Sequence, residues 1–90
     1  MLYMVIENYQ EGRVEEIYRR FEQKGRMLPQ GLEYLDSWVS ADLGRCFQLM
    51  RCDDEKLLQA WIERWRDLID FEVVPVSPSR EAAEQVLGSS

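Results

Sequence analysis

LEYLDSWVSADLGRCFQLMRC, residues 32–52, is the stretch whose reading decides the fold. Leu32 to Ser40 alternates as a strand does, Ala41-Asp42-Leu43-Gly44 is the turn of a hairpin, and Arg45 to Cys52 is the returning strand. On either side of this hairpin the period of the apolar residues changes from strand to helix. Upstream, Val14, Ile17, Tyr18, Phe21 and Leu28 follow helical spacing. The pairs Glu15–Arg19, Glu16–Arg20 and Glu22–Arg26 set acid before base at i,i+4 on the wet side. Gly25 and then Pro29-Gln30-Gly31 stop that helix. Downstream, Asp53-Asp54-Glu55 places a cap and acidic charge at a second helix start. Leu57, Leu58, Trp61, Ile62, Trp65 and Leu68 then form a wide apolar stripe that predicts both indoles buried in the core.

Two further strands complete the pattern. Leu2 to Glu7 reads as the first and Ile69 to Val76 as the last, where Pro75 suits an edge position. Ser77-Pro78 opens a short tail helix carrying Ala82, Ala83, Val86 and Leu87 on one side, and Gly88 ends it. The order βαββαβ predicts an α+β, ferredoxin-like domain: a four-stranded antiparallel sheet with the first and third strands central, two helices on one face, and a short C-terminal helix. Residues 1–90 read as a single domain, with 1–76 as the ferredoxin-like core and 77–90 as helix and tail.

Composition bounds the function. The net charge is −6, Lys24 and Lys56 are the only lysines, and the arginines are scattered apart from Arg19-Arg20. That balance argues against nucleic acid and against an anionic membrane surface. No apolar run approaches the roughly 20 residues of a membrane span, and Met1 to Ile6 reads as a strand rather than a signal peptide. Two cysteines in such a chain are expected to be reduced thiols in the cytoplasm. Cys46 and Cys52 lie roughly 20 Å apart along one strand, beyond disulfide reach. The chain has no His, which removes Ser-His and Cys-His catalysis and His metal sites. Asp53-Asp54-Glu55 lacks the spacing of a calcium loop, so no metal and no cofactor are expected.

Sorting the strands by alternation gives two faces. Leu2, Met4 and Ile6 with Leu35, Val39, Phe47, Leu49, Ile69, Phe71 and Val73 are expected under the helices. Tyr3, Val5, Glu7, Tyr34, Asp36, Trp38, Cys46, Gln48, Met50, Asp70, Glu72 and Val74 are expected on the open face. An open face this aromatic marks an interface or a ligand groove. Its candidate site is Asp36, Trp38 and Gln48, an acid, a large ring and an amide that can orient a small polar molecule, with Tyr34, Tyr3, Glu7 and Glu72 around them. Paired carboxylates in a low dielectric would split their pKa values and supply an acid-base group near neutrality. The plainer alternative makes these acids rim residues of a dimer edge. Arg26 can also pair with an anionic ligand.

Four runs carry a resemblance: Gly25-Arg26-Met27-Leu28-Pro29, Asp36-Ser37-Trp38, Arg45-Cys46-Phe47-Gln48-Leu49-Met50, and Asp67-Leu68-Ile69-Asp70-Phe71-Glu72-Val73-Val74-Pro75-Val76. They resemble a bacterial family known only as domain of unknown function 3303, which implies no activity and no catalytic residues. More loosely, the layout is similar to the dimeric α/β-barrel superfamily of cofactor-free oxygenases, isomerases and haem-handling proteins. That likeness implies a homodimer of paired sheets. Three functions fit: a homodimer binding a small neutral or cationic ligand in a cavity on the open sheet face, a protein–protein interaction module without a ligand, or a cofactor-free enzyme using a carboxylate or Tyr as its acid-base group.

Overall fold

The computed structural model describes residues 1–88, so the end of the expected tail at 89–90 lies outside the described residues. The elements run β1 (Leu2–Tyr9), α1 (Val14–Lys24), β2 (Glu33–Val39), β3 (Arg45–Arg51), α2 (Lys56–Glu63), β4 (Ile69–Val76) and α3 (Ser79–Leu87). One antiparallel sheet has the order β2-β3-β1-β4. This is the ferredoxin-like arrangement expected from the sequence, with β1 and β3 central and Pro75 on an edge strand.

Local chemistry explains the helix ends. Glu15 and Glu16 in the first turn of α1 and Lys24 in the last complement its dipole. Gly25 then leaves the helix at φ 66°, a conformation that favours glycine. Asp54 Oδ1 accepts the Lys56 amide at 2.9 Å and satisfies one of the unpaired donors at the start of α2. α2 stops at Glu63, short of the expected stripe, and residues 64–68 form turns. Bonds from Arg64, Trp65 and Leu68 to the carbonyls three residues back tighten the chain there. Trp65 and Leu68 still face inward, because a tighter coil of similar hand keeps them on the buried side.

The core contains Trp61 and Trp65, 1% and 4% exposed, packed with Val5, Ile17, Met50, Leu58, Leu68 and Ile69. The Trp61 ring meets Phe71 edge-on at 5.7 Å between centroids. Arg20 forks onto Asp67 with Nη–Oδ distances of 2.8 and 2.6 Å and donates to the Arg64 carbonyl, tying α1 to the turn after α2. No helix among the described residues is long and apolar enough to cross a membrane.

The faces of the two central strands are the reverse of the expectation. Tyr3, Val5, Glu7, Cys46, Gln48 and Met50 are buried under the helices. Leu2, Met4, Ile6, Phe47 and Leu49 are only partly buried and lie on the open face, which Trp38, at 52%, exposes most. The register places Tyr3, Val5 and Glu7 of β1 opposite Met50, Gln48 and Cys46 of β3. On the other side of β1, Val5 and Glu7 face Val73 and Phe71. β4 therefore does present Ile69, Phe71 and Val73 inward. In β2 a register shift between Tyr34 and Asp36 turns Tyr34, Ser37 and Val39 to the helix side and Asp36 and Trp38 to the open side. Apolar content alone cannot orient strands that are apolar on both sides.

Trp61 fills the centre of this core, so Trp61→Ala should cost about 3–5 kcal/mol in denaturant unfolding. A loss below about 1 kcal/mol, the size of an ordinary surface change, would contradict its central place.

Candidate functional site

A cavity of about 130 Å³ lies between α1 and the sheet. Glu7, Cys46 and Gln48 of the central strands form its polar floor, and Ile17, Phe21, Trp61 and Trp65 contribute apolar walls. Arg26, from the loop after α1, lines it as well.

Glu7 is 4% exposed. Burial raises its pKa to about 7, while hydrogen bonds from Gln48 and Cys46 and the positive charge of Arg26 pull the other way. Desolvation wins because one cation and two neutral donors replace only part of the lost hydration. The Cys46 thiol bonds to both Glu7 and Tyr9, and burial pushes it up to about 11. Tyr9 is also raised, first by burial and then by Cys46 and Glu7. Both therefore stay neutral near pH 7, and Cys46 is an inert thiol rather than a nucleophile.

The Arg26 guanidinium is held without an ion pair among the described residues. Its Nε donates to Gln48 Oε1 at 3.2 Å. Its central carbon sits 3.6 Å from the Tyr34 ring centroid and 5.0 Å from that of Phe21. Tyr34 is in turn fixed by a 2.6 Å bond between its hydroxyl and Ser37 Oγ. The Arg26 carbonyl accepts two indole N–H bonds, from Trp61 at 2.9 Å and Trp65 at 3.0 Å. Arg64 donates to the next carbonyl, that of Met27. These bonds hold a bent backbone in which Gly25 and Met27 have φ of 66° and 59°.

The structure thus brings together two of the candidate residues, Glu7 and Gln48, with Tyr34 stacked on Arg26 beside them. Tyr3 is buried on the same side but farther along β1, opposite Met50 and Pro75. Asp36, Trp38 and Glu72 are exposed on the other face. The expected cluster of Asp36, Trp38 and Gln48 does not form, because the shifted register of β2 and the reversed β3 send them to opposite sides. The expected position on the open sheet face is corrected with it: the cavity lies on the helix side. Tyr9, Ile17, Phe21 and Cys46 were missed as lining residues. Their signal was present in the sequence as polar Glu7, Cys46 and Gln48 set among apolar residues in the two central strands. Among the described residues no group of His, Cys, Asp or Glu could hold a metal ion.

The family model described as "Domain of unknown function (DUF3303)" matches residues 1–89, and the chain belongs to that family. No curated protein matches it. Among solved structures it is similar to an antibiotic biosynthesis monooxygenase, with 19% identity, a TM-score of 0.51, and coverage of 87% of this chain and 100% of that one. It is also similar to an uncharacterized NIPSNAP domain protein from Burkholderia xenovorans, with 16% identity, a TM-score of 0.49, and coverage of 86% and 95%. At such identity the first likeness shows the fold alone.

The raised pKa of Glu7 links stability to pH. The folded state holds the Glu7 proton more tightly than the unfolded chain, whose carboxyl has the ordinary value of 4.5. The stabilising contribution is full below pH 4.5 and is lost as pH rises through about 7. The chain has no His to add a transition in this window. Wild type should lose about 2.5 kcal/mol between pH 5 and 8 in urea unfolding. Glu7→Gln should remove most of that slope, and a slope that survives in Glu7→Gln would assign it elsewhere.

Proposed function

We propose that the protein is a homodimeric small-molecule-binding domain whose ligand enters the cavity beneath α1, with Glu7 as the proton-exchanging group of the site. The observation that carries this reading is a carboxylate, 4% exposed, placed on the floor of a cavity with aromatic walls. A core built only for stability would close that space and replace the acid. Local rules of packing and charge burial are broken together at functional sites. A second reading rests on the same group: a carboxylate titrating near neutrality in an apolar cavity meets the requirement for a general base in a cofactor-free proton transfer. It predicts that a bound ligand with an acidic C–H exchanges deuterium with solvent faster on wild type than on Glu7→Gln.

The open face supports the dimer. Leu2, Met4, Ile6, Phe47 and Leu49 form an apolar surface across the central strands, and Trp38 and Val74 extend it over the edges. A second copy offers the same surface, so a twofold pairing of sheets covers both at once. The unpaired thiols of Cys46 and Cys52 support a reducing compartment, the cytoplasm.

The three Trp residues separate the two surfaces. In a fragment screen followed by NMR, ligands of the cavity should shift the indole N–H signals of Trp61 and Trp65 and leave Trp38 unmoved. Ligands that move only Trp38 would place binding on the open face and refute the cavity reading. In sedimentation at high micromolar concentration the wild type should be a dimer and Trp38→Lys a folded monomer. A monomeric wild type would remove the dimer from the proposal.

A further inference from the structure

The Arg26 guanidinium is a partly buried charge held by rings and an amide instead of a carboxylate. Arg13, Arg19, Arg20, Arg51 and Arg66 each have a carboxylate within 2.8 Å. Arg26, Arg45, Arg64 and Arg80 have none among the described residues, and of these four Arg26 alone is partly buried. Two rings and one amide oxygen fix its position. Only Nε has a protein acceptor, so the Nη donors that recognise oxyanions are left without one among the described residues. The indole bonds to its carbonyl hold this arrangement from behind.

Charge balance in the cavity follows from two groups. With Glu7 ionised, its charge offsets that of Arg26. With Glu7 protonated, the cavity carries one uncompensated positive charge. A ligand bearing one negative charge can replace Glu7 as the counter-ion, and Glu7 then takes up a proton. A cation would face Arg26, and a dianion would meet only one guanidinium. The volume adds a size limit: about 130 Å³ is close to the roughly 150 Å³ of an apolar cavity that accepts benzene.

Building on the cavity reading above, we propose that the ligand is a single-ring organic monoanion, such as an aromatic carboxylate, with its oxyanion on Arg26, its ring among Ile17, Phe21, Trp61 and Trp65, and one proton taken up by Glu7. The acids of the open face suit a neutral or cationic ligand; the cavity beside Arg26 suits an anion. The titratable and charged groups around Glu7 are Tyr9 on β1, Cys46 on β3, Tyr18 on α1 and Arg26 on the loop. β2 contributes Tyr34 against Arg26, α2 contributes two indoles, and β4 contributes the apolar Ile69 and Phe71. Tyr9 and Cys46 remain neutral, which leaves Glu7 to exchange the proton.

Titration calorimetry of the wild-type protein with benzoate, in two buffers of different ionisation enthalpy, tests the proposal without any variant. Above pH 7, affinity should fall about tenfold per pH unit and proton uptake should approach one per ligand, with both effects absent well below pH 7. Benzamide, the neutral counterpart, should bind at least about tenfold more weakly at pH 6, the loss expected from one charge-assisted bond. Arg26→Gln should erase the preference for benzoate, Arg26→Lys should restore part of it, and Glu7→Gln should bind benzoate without pH dependence. Equal binding of benzoate and benzamide, or benzoate binding without proton uptake, overturns the anion proposal and leaves the cavity reading standing. Failure of both probes to move the Trp61 and Trp65 signals overturns both.

Discussion

The Arg26 carbonyl accepts the indole N–H of both Trp61 and Trp65, using both lone pairs of one oxygen. Much of the molecule depends on that junction. It fastens the exit of α1 to the inner side of α2, although the two are far apart in sequence. Each bond contributes on the order of 1 kcal/mol, enough together to offset roughly 1–3 kcal/mol of strain at Met27. With the backbone held there, the Arg26 side chain lies across Tyr34 and reaches Gln48. The same two rings that pin the loop line the cavity, so the wall and the charge beside it are positioned by one device.

Both central strands are apolar on both faces, and hydrophobic burial alone does not choose between them. What differs is the polar content. Glu7, Cys46 and Gln48 are in register on one side, and Tyr9 and Arg26 complete their hydrogen bonds. No buried side-chain polar atom among the described residues lacks a partner. Turned outward with their strands, Glu7 and Gln48 would gain water, but Arg26 would lose its acceptor beneath the helices. Satisfied polar groups, placed where only one orientation completes them, select the face that goes inward.

Periodicity gives the elements and the phase of α2, because Leu58, Trp61 and Trp65 share a side in any coil close to helical pitch, and short right-handed connections give the strand order. In β4, Asp70 and Glu72 alternate with Ile69, Phe71 and Val73 and leave one clear orientation, which the structure has. β1 and β3 offered no such contrast. Leu2, Met4 and Ile6 outrank Tyr3, Val5 and Glu7 in hydrophobicity, yet they lie on the open side. In β2 the register shift broke the alternation on which any assignment of Asp36 and Trp38 rests. Glu7 and Gln48 could be named as polar candidates, but Arg26 could not be placed beside them. Its position depends on a bent loop and two distant indoles, which no local pattern reveals.

Glu7 sits on β1, at the centre of the sheet, and both neighbours of that strand arrive late in the chain: β3 at Arg45–Arg51 and β4 at Ile69–Val76. Every ladder bond of the first strand therefore closes a long loop, and its second edge stays open until the last strand has been made. Such non-local pairing slows folding, because chain entropy is lost before the contacts compensate for it. During synthesis on the ribosome, the apolar residues of β1 wait unpaired while the carboxylate among them remains hydrated and charged. That charge keeps an exposed strand soluble, much as gatekeeper residues do in aggregation-prone segments. An acid that is costly to bury in the finished domain is thus an ordinary solvated charge while the strand is still unpaired.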